Sequence, residues 1–130
     1  MNGVLLSLSP REALEKLRGN AAIVDIRPEY EISFRSFDVP KVFYIPYELF
    51  YENTGIIPRD ILVIIADSVG NKSSEAARHL ISQGYSQVAC LSGGMVAWDR
   101  AGMPLSKDEG YAMSGGCACR LKTQKDRPGM

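Results

Sequence analysis

Two places in the chain hold residues whose types and spacing could do chemistry. The first is a six-residue stretch, Asp67, Ser68, Val69, Gly70, Asn71 and Lys72, set between an unbroken apolar run at 61–66 and an amphipathic segment that begins at Ser73. Successive backbone N–H groups in such a loop, the positive end of a following helix and a lysine at the rim make a cradle for an anion. Gly70 lets the chain curl tightly there. The loop nevertheless opens on a carboxylate, which competes for the same donors. The second place is Cys117-Ala-Cys119, two thiols on one turn that could form a strained disulfide, bind a soft metal or receive a persulfide. Two thiolates do not complete a tetrahedral zinc site, and no CxxC or histidine pair stands elsewhere to finish it, so no metal or cofactor is expected.

The elements that must position the loop are legible in the pattern. Ser9 and Glu12 form a capping box with Pro10 at the first helical position, Ala13, Leu14 and Leu17 supply an apolar face, and Gly19 is placed to end the helix. The run at 21–26, apolar until it is closed by the charge of Asp25, and the run at 61–66 fit strands covered on both faces and predict two central parallel strands. Shorter strands are expected at 42–46 and 87–91. The segment from Ser73 reads as a helix with Ala76, Ala77, Leu80 and Ile81 inward and Gly84 as its stop. A last helix is entered through Gly93-Gly94 and left at Gly102. This alternation predicts a three-layer α/β/α fold with a mostly parallel central sheet. In such a sheet ligands bind beyond the carboxyl ends of the central strands, where residues 67–72 fall.

The chain has 130 residues, 45% of them hydrophobic, which suits one domain with a sizeable core. Fifteen basic and fifteen acidic side chains cancel, so long-range attraction to nucleic acid or to a membrane surface has no source, and partners must be recognised locally. No apolar stretch approaches the roughly 20 residues of a membrane span, and no cleavable leader pattern opens the chain, so a cytoplasmic location is expected. Three cysteines, an odd number, fit reduced thiols better than a disulfide framework. The domain is expected to occupy 1–105, followed at 106–130 by a flexible tail that carries the Cys-x-Cys pair.

Four motifs, in order, resemble the rhodanese family of single-domain sulfurtransferases. They are VDIRPEYE at 24–31, FDVPKVFYIP at 37–46, the loop at 67–73 and GGMVAWDRAGMP at 93–104. The resemblance spans residues 5 to 105. It implies a loop, written Cys-x-x-Gly-x-Arg-Ser, whose first cysteine takes sulfane sulfur from a donor and holds it as a persulfide within a ring of N–H groups. Gly70 and Ser73 match that loop, Lys72 keeps the charge of the arginine without its fork, and the cysteine position is occupied by Asp67. Six residues is the loop length used for sulfur; the family's phosphatase relatives use a longer one.

A carboxylate cannot become a persulfide. The resemblance therefore implies a domain that lacks standard thiosulfate sulfurtransferase activity and acts in binding or sulfur relay, with a sulfane-sulfur donor or acceptor protein as partner. The alternative is an active sulfurtransferase or thiol-redox protein in which Cys117 or Cys119 carries the sulfur. A third reading, phosphate-ester hydrolysis with Asp67 as nucleophile, lacks metal-binding carboxylates. Among the other residues, Asp25 and Arg27 are expected to tie loops together, Cys90 to be a buried thiol, His79 a boundary residue, and Trp98 to pack the last helix on the core.

Overall fold

The computed structural model describes residues 5–107. Five parallel strands form the central sheet: β1 (Leu6–Leu8), β2 (Ala21–Asp25), β4 (Val42–Tyr44), β5 (Leu62–Ala66) and β6 (Val88–Leu91), in the order β1-β6-β5-β2-β4. A separate antiparallel pair joins β3 (Arg35–Phe37) to β7 (Leu105–Lys107). The helices are α1 (Pro10–Leu17), α2 (Glu29–Phe34), α3 (Tyr47–Phe50), α4 (Ser73–Ser82) and α5 (Gly94–Arg100).

Successive side chains of a strand point to opposite faces, so a strand covered on both sides is apolar along its length except where a buried polar group is paired, as Asp25 at the end of β2 is with Arg27. β2 shows this: Ala22 and Val24 join Val63, Ile65, Ala76 and Leu80 on one face, while Ala21 and Ile23 join Ile64, Met95 and Trp98 on the other. α4 closes the first core, and α1 and α5 close the second. The expected three-layer fold with its two central strands is thus present, with β5 in the middle of the sheet and β2 beside it.

Local signals behave as their chemistry requires at α1. Ser9 Oγ accepts from Glu12 N at 3.1 Å and Glu12 Oε1 accepts from Ser9 N at 2.9 Å, closing the capping box. Trp98 is fully buried, its ring edge-on to Phe37 at 5.2 Å, and its Nε1 donates to the Pro104 carbonyl at 2.7 Å. β7 carries the chain two residues past Leu105, where composition placed the domain's end, because Ser106 and Lys107 pair with Ser36 and Arg35. Residues 108–130, including Cys117 and Cys119, lie outside the described residues.

Candidate functional site

Parallel register sets the site. Asp25 lies opposite Ala66, and Ile26 N donates to the Ala66 carbonyl at 2.9 Å, so β2 and β5 end level and the residues just past them share one rim of the sheet. Asp67 is the first residue past β5. It is 6% exposed, and its carboxylate points inward on its own loop: Oδ1 accepts from Gly70 N at 2.5 Å, and Oδ2 accepts from Lys72 N at 2.6 Å and Ser73 N at 3.1 Å. The anion cradle is built, and three of its backbone donors converge on a carboxylate of the same chain.

The loop's carbonyls face the other way. Asp67 O accepts from Met95 N at 2.9 Å and Ser68 O from Val96 N at 3.0 Å, so the loop satisfies first-turn amides of α5. This close approach requires the double glycine. Gly94 has φ +60° and Gly93 φ +77°, and a Cβ on Gly93 would stand 2.5 Å from Ala97 Cβ. Gly70, at φ +95°, curls against Gly93.

Behind the rim, Asp25 and Arg27 are both buried and form a forked pair. Arg27 Nε donates to Oδ1 at 3.0 Å and Nη2 to Oδ2 at 2.9 Å, while Nη2 also reaches the Arg35 carbonyl at 2.9 Å. Burial pushes the Asp25 carboxyl up, and the Arg27 charge and hydrogen bonds oppose the shift. The pair ties β2 to the start of β3, the structural role expected of it.

A pocket of about 590 Å³ opens over the loop. Asp67, Ser68, Val69, Asn71 and Lys72 form its floor, Glu29 and Glu31 one wall, and Tyr47 and Glu48 another. Ser68 Oγ donates to the Glu31 carboxylate, fastening α2 to the loop. Lys72 Nζ sits 4.6 Å from the centroid of the Tyr47 ring. The Tyr47 hydroxyl, hydrogen-bonded to Tyr51 and to Glu75, is pushed up to about 12 by those partners and by desolvation. Glutamates therefore outnumber the basic groups at the mouth, and the Arg27 charge is committed to Asp25.

Of the residues singled out in the sequence, Asp67 to Ser73 come together as one cradle. His79 stands elsewhere, on α4 against the Tyr51 ring at 4.5 Å, with its Nε2 buried and without a hydrogen-bond partner. Cys90 is buried at the end of β6 and lines a second cavity of about 290 Å³ behind the loop with Ser73 and Arg78; burial pushes its thiol up. Tyr47 and the three glutamates were not singled out. The only sequence signal for Tyr47 is its place directly after Ile45-Pro46, at a strand-to-helix turn beside the rim. Among the described residues no group of His, Cys, Asp and Glu is arranged to hold a metal ion, and no helix is long and apolar enough to cross a membrane.

Known proteins agree with this architecture. The model of the rhodanese-like domain matches residues 9–101. A sulfurtransferase of Allochromatium vinosum is 36% identical over 88 residues, covering 68% of this chain and 80% of its own length. The thiosulfate sulfurtransferase GlpE of Haemophilus influenzae is 28% identical over 99 residues, 75% of this chain and 91% of its own. In fold, a rhodanese-related protein of Thermoplasma volcanium superposes with a TM-score of 0.69 at 24% identity, covering 78% of this chain and 97% of that one. A five-stranded parallel sheet with its loop-borne cradle at the carboxyl end of the middle strand, matched over 9–101, places the chain in the rhodanese-like domain family.

Proposed function

We propose that this domain does not turn over thiosulfate in the standard manner of its family and serves instead in binding or sulfur relay. One observation carries the reading: the Asp67 carboxylate takes the Gly70, Lys72 and Ser73 amides for itself. Those donors are what a persulfide or a bound oxyanion would need. A carboxylate is neither a sulfur nucleophile nor a group that can be displaced from the chain. The glutamates that line the same pocket add to the barrier, since a dianionic donor entering it meets the charges of Glu29, Glu31 and Glu48 as well as that of Lys72.

The test is thiosulfate turnover with a thiol acceptor. Wild-type protein reduced at the start is expected to show none, and Asp67→Cys is expected to gain it, because the cradle keeps the six-residue geometry. Turnover by wild type that survives replacement of both Cys117 and Cys119 by Ser would overturn the reading.

A second reading, in which Cys117 or Cys119 carries sulfur to this site, is favoured by where the described chain ends. Lys107 lies opposite Arg35, which lines a smaller cleft with Glu31 and Ser68, two residues that also line the main pocket. Turnover lost on replacing both thiols with Ser would select it.

A further inference from the structure

Two cavities share a wall beside the loop. The pocket of about 590 Å³ and a smaller cleft of about 280 Å³ are both lined by Arg27, Glu31 and Ser68. The Ser68 hydroxyl donates to the Glu31 carboxylate, so one pair of side chains closes the wall. Its two sides differ in chemistry. The pocket is lined by four carboxylates, Glu29, Glu31, Glu48 and Asp67, against two cations, Arg27 and Lys72. Asp67 is answered by its own loop and Arg27 by Asp25, while Glu29 and Glu48 are exposed and have no ion-pair partner among the described residues. The cleft is lined instead by Phe34, 62% exposed, and by buried Met95, and the Arg35 charge there is paired with Asp99.

The wall itself holds a donor. Arg27 is 2% exposed, and its guanidinium carries five N–H groups. Those on Nε and Nη2 go to the two Asp25 oxygens and to the Arg35 carbonyl, and one on Nη1 goes to the Glu31 carbonyl at 3.4 Å. The second N–H of Nη1 has no acceptor among the described residues, in a side chain that lines both cavities. The Arg27 charge is already met by Asp25, and the Glu31 carboxylate belongs to the same wall, so the position does not call for an anion. A neutral oxygen, such as a peptide carbonyl, satisfies it.

A ligand for this place brings a cation for Glu29 and Glu48, an apolar group for Phe34 and Met95, and a carbonyl between them. Among the described residues no group of His, Cys, Asp and Glu is arranged to hold a metal ion, so the cation is an organic one. We propose that the two cavities form one groove for an extended segment of a partner protein. A basic side chain of that segment enters the larger cavity, an apolar side chain enters the smaller, and the backbone carbonyl between them accepts from Arg27 Nη1. Side chains two residues apart in an extended segment fall on one face about 7 Å apart, a spacing suited to straddling a wall one side-chain pair thick. This inference rests on the binding half of the proposed function and names its partner's chemistry. Its test reads binding rather than turnover, so the two can fail separately.

Amide NMR of isotope-labelled full-length protein follows titration with the capped peptide acetyl-Gly-Arg-Gly-Leu-Gly-amide, and with the reverse order acetyl-Gly-Leu-Gly-Arg-Gly-amide, to about 5 mM. One of the two is expected to shift the signals of Glu29, Ser68 and Phe34 together. Glu29→Gln/Glu48→Gln is expected to weaken that binding about tenfold. Phe34→Ala is expected to weaken it about fivefold, a loss that vanishes when glycine replaces the peptide's leucine. All three side chains are exposed, and the spectra of the free variants check that the fold is kept. No shift with either peptide, or equal binding when glutamate replaces the peptide's arginine, would overturn the proposal. So would equal affinity for acetyl-arginine amide alone, since the site would then take a small amine and not a protein segment.

Discussion

Gly94 packs against the Asp67 carbonyl so closely that a Cβ there would overlap that oxygen and stand 2.6 Å from the Ser68 carbonyl carbon. The loop and α5 are therefore one unit: the loop's carbonyls cap the helix, and the missing side chain is what lets them arrive. Gly94→Ala combines this overlap with a φ of +60°, and both effects act on backbone atoms that cannot turn aside. A loss of about 3 kcal/mol is expected. Urea unfolding measures it, and Gly102→Ala, also at positive φ but with open space around it, isolates the strain from the overlap.

Asp67→Ala empties the cradle. Three amides lose their acceptor, at a cost of about 2 kcal/mol in stability. The same change should create an anion site. Thiosulfate or sulfate is expected to raise the melting temperature of the variant, because a ligand that binds only the folded state stabilises it by mass action, and to leave wild type unmoved. A thermal scan against anion concentration reads both arms. Equal response of the two proteins would show that Asp67 does not occupy the site.

Arg27→Lys keeps the charge and loses the fork. The Arg27 guanidinium donates through Nε and Nη2 to one buried carboxylate and through Nη2 to the Arg35 carbonyl, and a single ammonium cannot reproduce that planar set. The lysine variant is expected to lose about 2 kcal/mol, and Arg27→Met more, about 4, since it leaves Asp25 buried without a counter-charge. Equilibrium unfolding orders the three proteins.

The parts of this structure that could be read from the sequence are those whose signal is local. The apolar runs mark β2 and β5, a capping box marks the start of α1, and inward alanines and a leucine mark the helix after the loop. α2 and α3 were not read, because each is less than two full turns long, starts after a proline without a side-chain cap, and buries a single side chain, Ile32 or Phe50. The loop could be located, but not the pocket above it. Glu29, Glu31, Tyr47 and Glu48 come from α2 and α3, and only the level ends of parallel strands bring them to face residues 67–72. Spacing along the chain carries no trace of that meeting. The exit of the chain beside Arg35 was hidden for the same reason, since β3 and β7 are three residues each and pair across seventy positions of sequence.

Cys90 offers a pH signature that the other buried groups do not share. Its thiol ordinarily ionises near 9.0, and burial pushes it up; the charge of Asp67 adds to the shift, while the Ser73 hydrogen bond and the Arg78 charge oppose it. A folded-state pKa above the unfolded one means that the folded protein holds its proton longer. The thiol's contribution to stability is then fully present below the unfolded value and is lost as pH rises through the folded one. Wild type should therefore lose stability relative to Cys90→Ala as pH rises through and above the ordinary value of 9.0, although the alanine variant is the less stable at neutral pH for want of the packed sulfur. Tyr47 titrates in both proteins and cancels from the difference. Urea midpoints at matched pH give the comparison directly, and parallel curves across that window would show that the Cys90 thiol ionises as easily in the fold as in the unfolded chain.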